Sequence, residues 1–223
     1  MNNEVIDIVY RSRTTILDHL DEAGWETTPF RKFSPKEIRE MIKATGASIN
    51  GAPALQMELK RKEDAPSGDG ESTECLVAYT LTRIKHKIDK FTTEFFGSEG
   101  VDPALVKSRE LILITLEPIA PNFHTTASSL FLKHGIRVRY FQAAAIINNP
   151  LKHVLVPKHE KVPKGEEEAL LTGLNAKKTQ FPFIRFHEDP IARMIGLLPG
   201  DIVKITRPSP TAGECIMYRV CVP

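Results

Sequence analysis

The stretch EDPIARMIGLLPGDIVKITRPSPTAGECIMYRV, Glu188 to Val220, decides how the last third of this 223-residue chain folds. Asp189 ahead of Pro190 marks a helix start: a carboxylate that accepts from free amides, then a residue with no amide to leave unpaired. Gly196 closes that helix about two turns later. LPGD supplies a turn, with Pro199 constraining the backbone and Gly200 freeing it. From Asp201 onward Ile202, Lys204 and Thr206 alternate with Val203, Ile205 and Arg207, a strand with one face more apolar than the other. RPSPTAG joins it to a second strand, ECIMYRV. Pro208 and Pro210 lack backbone donors, so the connector is expected to be rigid and irregular and not to continue the ladder as a central strand. Ala212 and Gly213 leave room for another backbone. Two readings fit: a surface docked against a partner, or a rigid loop shaped by its own domain.

Back toward the N-terminus, short strands and prolines continue as far as NNP (Asn148 to Pro150), with one acidic helix near PKGEEEALLTGL. Before Pro150 the texture changes. Ile6, Ile8, Val9, Ile16, Leu17 and Leu20 trace an opening helix that Gly24 stops. Ser34, Pro35 and Glu37 form a capping box for a second helix ending near Gly46. ALQMELK and ECLVAYTL read as strands on either side of a polar loop, RKEDAPSGDGEST. Ile84, Ile88, Phe91 and Phe95 recur at helical spacing. ELILITL is a buried strand, NFHTTASSLFLKHG a helix closed by Gly135, and IRVRYF a further strand. The expectation is two domains: residues 1–149, α/β (α+β), and residues 150–223, small, mixed and β-rich.

Hydrophobic residues make up 41% and charged residues 26%, enough to bury a core. The net charge of +2 comes from 30 basic and 28 acidic side chains, too balanced to announce nucleic-acid binding. A split at Pro150 leaves 19 basic against 20 acidic residues before it and 11 against 8 after it. The first residues lack the pattern of a secretion signal, no apolar run is long enough to span a bilayer, and three cysteines is an odd number. An intracellular, soluble protein with reduced thiols and no membrane association is expected.

Chemistry-bearing residues are few. Glu58-Leu59-Lys60 is the Glu-x-Lys arrangement of metal-dependent nucleases: on a strand both side chains share a face, where Glu58 binds a metal and Lys60 steadies the attacking water. That chemistry needs another carboxylate, and Glu74 is a distant candidate; a solvated strand end is the plainer reading. His153, His159, Cys215 and Cys221 are soft ligands, but without the short spacings of structural zinc sites. Packed histidines and buried thiols are expected there, with no metal and no cofactor. The nucleotide-binding and nucleophile-elbow glycine motifs are absent, and His124 and His134 lie near helix ends with no Cys or carboxylate pattern in the sequence to suggest general-base work. Lys85, His86, Lys87 and Lys90 bunch together, as do Arg137 and Arg139, and such groups could touch phosphates without sequence preference; for the lysines a solvated helix face is the plainer account.

Taken in order, HVLVPKH (153–159), FPFI (181–184), DPIARMIGL (189–197), PGDIVKITRP (199–208) and TAGECIMYR (211–219) closely resemble one family. It is the fifth-largest subunit shared by eukaryotic RNA polymerases I, II and III, whose smaller archaeal counterpart looks like this C-terminal part alone. VYRSRTTILDHLDEAGW (9–25) and the order of elements after it are similar to the eukaryotic subunit's jaw domain. Where the family carries a Thr-Pro-Ser-Ala turn this chain has EPIAPNF (117–123), keeping a proline only near Pro121, and the 61–73 loop is also peculiar to it.

The resemblance implies a subunit without an active site of its own. Its jaw would be nuclease-like in fold and approach downstream double-stranded DNA, weakly and within the complex. Its C-terminal domain would dock on the largest polymerase subunit, among other subunits, and no small-molecule substrate is implied. His153, Pro157, His159, Arg193, Arg207, Pro208, Gly213, Tyr218 and Arg219 are the expected partner-facing residues, with the whole of 153–159 expected as a strand that helps to anchor the partner. Pro121, Asn122, Arg137 and Arg139 are the expected DNA-proximal ones. A cellular version implies the nucleus; a version carried by a large DNA virus, toward which the jaw's departures weigh slightly, implies a cytoplasmic factory, the host nucleus or the virion. A nuclease-like DNA-processing protein using Glu58 and Lys60 is the alternative.

Overall fold

The computed structural model describes residues 3–44, 52–62, 72–84, 87–97 and 101–223. The chain divides into two compact units, Met1–Asn149 and Pro150–Pro223. Both combine helices with a mixed sheet, an α+β architecture.

In the first unit α1 (Asn3–Glu22) buries Ile6, Val9, Ile16, Leu17 and Leu20 and gives way at Gly24, whose φ of 88° lies where glycine alone is comfortable. α2 (Pro35–Ala44) starts at the expected box: the amide and hydroxyl of Ser34 both donate to Glu37 Oε2, at 2.7 and 2.8 Å. Its expected end at Gly46 lies outside the described residues, as does most of the 61–73 loop. The sheet runs in the order β1 (Met57–Lys60), β2 (Glu74–Thr80), β3 (Arg109–Thr115), β4 (Arg137–Gln142). β1 is antiparallel to β2, while β2, β3 and β4 are parallel. Parallel strands need crossover connections, made here by α3 (Ile88–Thr93) with α4 (Pro103–Ser108), and by α5 (Pro121–His134). Covered on both faces, β2 and β3 are buried almost throughout, the burial their unbroken apolar runs demand.

Two tyrosines tie helices to this sheet. The Tyr79 hydroxyl lies 3.2 Å from Ser12 Oγ on α1, and the Tyr140 hydroxyl 2.8 Å from Thr92 Oγ1 on α3. Phe123 of α5 meets the Tyr140 ring edge-on, with centroids 5.3 Å apart. Beside Ser12, the buried Arg13 donates to the Leu55 carbonyl at 3.0 Å and lies over the Phe33 ring.

The sheet of the second unit runs β5 (Lys158–Lys161), β7 (Ile202–Ser209), β8 (Gly213–Val222), β6 (Phe183–Arg185), with only β6 parallel to its neighbour. α6 (Lys164–Gly173) sends Leu170 and Leu171 against Val162, Ile202 and Val220, with Phe181 and Tyr218 alongside. The opposite face, with Ile184, Val203, Ile205 and Cys221, is also buried. α7 (Pro190–Ile195) packs against β5 and the turn at 150–152. Its cap is as expected: Asp189 accepts from the amides of Ile191 and Ala192 at 2.8 and 3.0 Å, and Gly196, at φ 67°, ends the helix.

Several expectations need correction. HVLVPKH is not a strand throughout; 151–156 is a sequence of turns, and pairing starts at Lys158. RPSPTAG is not an irregular connector. β7 continues through Pro208 to Ser209, and only Pro210, Thr211 and Ala212 stand between it and β8. β5 reaches no further than Thr206, so Pro208 has a neighbour on one side only, where a strand tolerates a missing donor. Gly213, at φ 73°, takes the left-handed position that closes a three-residue hairpin loop, which is why an Asn-Gly pair is not required. In the first unit the helix expected from Ile84 begins at Ile88, and residues 53–55 form a helical turn before β1. α4 is an additional helix, and its Asp102-Pro103 start repeats the Asp189-Pro190 signal.

Replacing Asp189 by alanine strands two amides at the start of α7 and should lower stability by about 1 kcal/mol. Denaturant unfolding of the full chain followed by circular dichroism measures it, with Asp189→Asn, still able to cap, expected to recover most of the loss.

Candidate functional site

The register of the second sheet places one group of expected partner-facing residues together. Lys158, at the start of β5, pairs with Thr206, so Pro157 lies at the end of the sheet from which the β7–β8 hairpin projects. That end carries Arg207, Pro208 and Gly213, all exposed. Leading into it is the 153–157 turn, built by two imidazoles. His153 Nδ1 accepts from the Leu155 amide at 3.2 Å, so the neutral ring carries its proton on Nε2. His159 Nδ1 donates to the Pro157 carbonyl at 2.7 Å and holds the opposite tautomer. The turn thrusts Val154 and Leu155, which lie within the segment 153–159 expected to face a partner, into solvent at 92% and 82% exposure. Their one sequence signal is an apolar run bounded by Pro150 and Pro157.

The other three residues of that set are engaged elsewhere in the unit. Tyr218 is half-buried, edge-on to Phe181 at 6.3 Å on the α6 side of the sheet. Arg219 donates from Nη1 to the Phe183 carbonyl at 3.0 Å, bracing β6. Arg193 is half-buried on α7, where burial lowers its pKa and the Asp189 charge opposes the shift.

At the base of the same sheet lies an ion network. Asp201 is fully buried; it accepts from the Leu198 amide at 2.8 Å and pairs with Lys161 at 2.9 Å and Lys164 at 3.3 Å. Lys178 bridges Glu167, at 2.5 Å, and the Gly200 carbonyl, at 2.9 Å.

In the first unit the expected DNA-proximal residues do not form one cluster. Pro121 and Asn122 are in the first turn of α5, not in a loop, whereas Arg137 follows the far end of that 14-residue helix. At 1.5 Å per residue α5 sets them about 20 Å apart. Arg139 is ion-paired with Glu110, the two side chains only 12% and 17% exposed, and Arg137 donates to Ser72 Oγ at 2.9 Å. Lys87 and Lys90 are exposed; Lys85 and His86 fall outside the described residues.

Glu58 and Lys60 do share the exposed face of β1, but Lys60 pairs in register with Glu74, and Arg109 takes the Glu74 carboxylate at 3.1 Å. Among the described residues no three or more His, Cys, Asp or Glu side chains gather as a metal site. Cys215 and Cys221 lie on β8 with Cys221 buried and Cys215 half-buried. Burial, reinforced by Asp201, pushes the Cys221 thiol up to about 12, and burial raises that of Cys75 well above its ordinary value.

The family model for the C-terminal domain of RNA polymerase subunit Rpb5 matches residues 148–221. A Dictyostelium discoideum protein named DNA-directed RNA polymerases I, II, and III subunit rpabc1 is 37% identical over 222 residues, 98% of this chain and all of the relative. The subunit Rpo5 of Archaeoglobus fulgidus is 57% identical over 70 residues, 31% of this chain and 91% of the relative. That of Nitrosopumilus maritimus is 50% identical over 70 residues, covering 31% and 83%.

At pH 8 the native chain should react with iodoacetamide first at Cys215, since thiolate is the nucleophile and Cys75 and Cys221 are buried and protonated. Peptide mass spectrometry of the alkylated protein tests this; equal labelling at Cys221 would contradict its burial.

Proposed function

The chain belongs to the family of RNA polymerase subunit Rpb5, and we propose that it works as a non-catalytic subunit of a multisubunit DNA-directed RNA polymerase. The observation that carries this is the 37% identity extending over the whole of a subunit named for polymerases I, II and III. Residues 150–223 are the assembly domain, docking on the largest subunit; residues 1–149 are a jaw with a nuclease-like fold beside downstream double-stranded DNA. The 91% coverage of the Archaeoglobus relative supports this division, because that subunit is little more than the matched part.

A specific interface of this kind buries about 1,200–2,000 Å² with its affinity concentrated in a few anchors. The exposed hairpin end supports a docking role, and Arg207 is placed to take a partner carboxylate through two parallel hydrogen bonds. For the jaw, DNA contact is weak and nonspecific and depends on the polymerase holding the duplex close, since tethering raises effective concentration. The near-balanced charge of the first unit fits that. Pairing of Glu74 with Arg109 supports reading the Glu58–Lys60 pair as a solvated strand end, so the nuclease alternative is not carried further. A cellular subunit of this kind works in the nucleus; a viral one works in a cytoplasmic factory, the host nucleus or the virion.

Tagged full-length chain, purified mildly from its own cells or infected host, should bring down the two largest polymerase subunits in near-equal amounts by quantitative mass spectrometry. Recovery of the chain alone would refute the reading. Arg207→Glu should reduce incorporation, while removal of residues 1–148 should spare incorporation and weaken initiation or processivity in transcription by the purified enzyme.

A further inference from the structure

Three hydroxyls in this chain precede a proline: Thr28, Ser34 and Ser209. The residue before proline is pushed toward an extended backbone, the form in which a kinase groove receives its substrate, and the fold treats the three pairs differently. Thr28-Pro29 is wound into a helical turn, Thr28–Phe30, with the Glu26 carboxylate taking the Thr28 amide at 3.1 Å. Ser209 is half-buried in β7 opposite Gly213, and its Oγ accepts from the Ala212 amide at 3.3 Å inside the hairpin loop. Ser34 differs. Residues 32–34 belong to no helix or strand, Pro35 opens α2 directly after them, and Lys32, Ser34, Pro35 and Lys36 are all exposed.

The bonds that hold the Ser34 hydroxyl are local and open to water. It donates to Glu37 Oε2 at 2.8 Å and accepts from the Glu37 amide at 3.4 Å. Exposed bonds of this kind exchange with water at little cost, so the oxygen can be presented without unfolding α2, which is held in the unit by Ile38 and Ile42. Charge narrows the class of enzyme. Residues 31–43 carry five basic and two acidic side chains, with Arg31 and Lys32 ahead of the hydroxyl and Lys36 just past the proline. A substrate groove lined by carboxylates is the complement.

We infer that Ser34 is a phosphorylation site for a proline-directed serine kinase with an acidic substrate groove. The γ-phosphoryl group of ATP passes to Ser34 Oγ. The Oγ–P bond forms as the bond from that phosphorus to the bridging oxygen breaks, ADP leaves, and the hydroxyl proton goes to the kinase's catalytic aspartate. The product rewires the start of α2. A phosphate ester has no proton to give Glu37 and sets about two negative charges against its carboxylate, so Glu37 swings into water while phosphate oxygens accept from the first amides of the helix. The net +3 of residues 31–43, five basic against two acidic, falls to about +1. This site does not depend on the subunit role.

Full-length chain incubated with a recombinant proline-directed kinase and γ-labelled ATP should take up phosphate at Ser34, located by peptide mass spectrometry, at least tenfold faster than at Thr28 or Ser209. Ser34→Ala should abolish that uptake, Pro35→Ala should cut it tenfold or more, and Lys36→Glu several-fold. A synthetic peptide of residues 29–40 separates recognition from access. Modification of the peptide but not of the folded chain would overturn the exposed site, and modification of neither would overturn the recognition. Faster uptake at Thr28 or Ser209 in the folded chain would overturn the choice among the three. Glu37, whose carboxyl the Ser34 amide and hydroxyl hold below its ordinary range, should titrate higher by NMR after phosphorylation, and an unchanged value would refute the opened box. Chain purified with phosphatase inhibitors from its own cells or infected host should carry phosphate at Ser34; a Ser34 peptide wholly unmodified at every stage of growth or infection would refute the site.

Discussion

A carboxylate with no access to water sets the terms for the second unit. An isolated charge in that position would be prohibitive, and Asp201 is tolerated because Lys161 and Lys164 meet it from the end of β5 and the start of α6 while the Leu198 amide caps it. One buried charge thus fixes a strand pair, a helix start and the LPGD turn relative to one another. Lys178 repeats the device between Glu167 and the Gly200 carbonyl. Apolar replacements of similar volume could match such pairs for stability, but they would not demand one arrangement of these elements. With the base locked, the opposite end of the sheet is free to carry side chains that serve nothing inside the unit.

That division between a locked base and an outward-facing end explains why the expected partner-facing residues separate into two groups. Arg207, Pro208 and Gly213 lie where β7 and β8 outrun β5 and have only each other as neighbours, so this end of the sheet stays exposed. Tyr218 and Arg219 lie lower on β8, opposite Lys204 and Val203, where the sheet is wide enough to engage them. Exposure along a single strand is therefore a matter of how far its neighbours extend.

Elements marked by local chemistry are readable from the sequence: the Ser34–Glu37 box, the Asp189-Pro190 start with its Gly196 stop, and the apolar runs of β2 and β3. What is not readable depends on tertiary neighbours. Val154 and Leu155 read as part of a strand, because a short apolar run has the same local pattern whether it pairs in a sheet or is set into solvent by a turn. Arg139 looks like a phosphate ligand until its partner Glu110, 29 positions earlier in the chain, is seen across the sheet. The persistence of β7 through Pro208 follows from the length of β5, which no property of RPSPTAG records.

The parallel order of β2, β3 and β4 bears on how the protein is made. Each of those pairings closes across an intervening helical crossover, a non-local contact whose loop entropy must be met before it is rewarded, whereas β7 and β8 close over three residues. Left to itself the hairpin would form first. Synthesis reverses the advantage: the first unit leaves the ribosome ahead of the second, and at 5–20 residues per second the remainder of the chain takes roughly 4–15 s to appear. The slow sheet thus gains a head start of seconds before the fast one exists, so the apolar turn at 154–155 reaches solvent only after much of the chain has had time to bury its core.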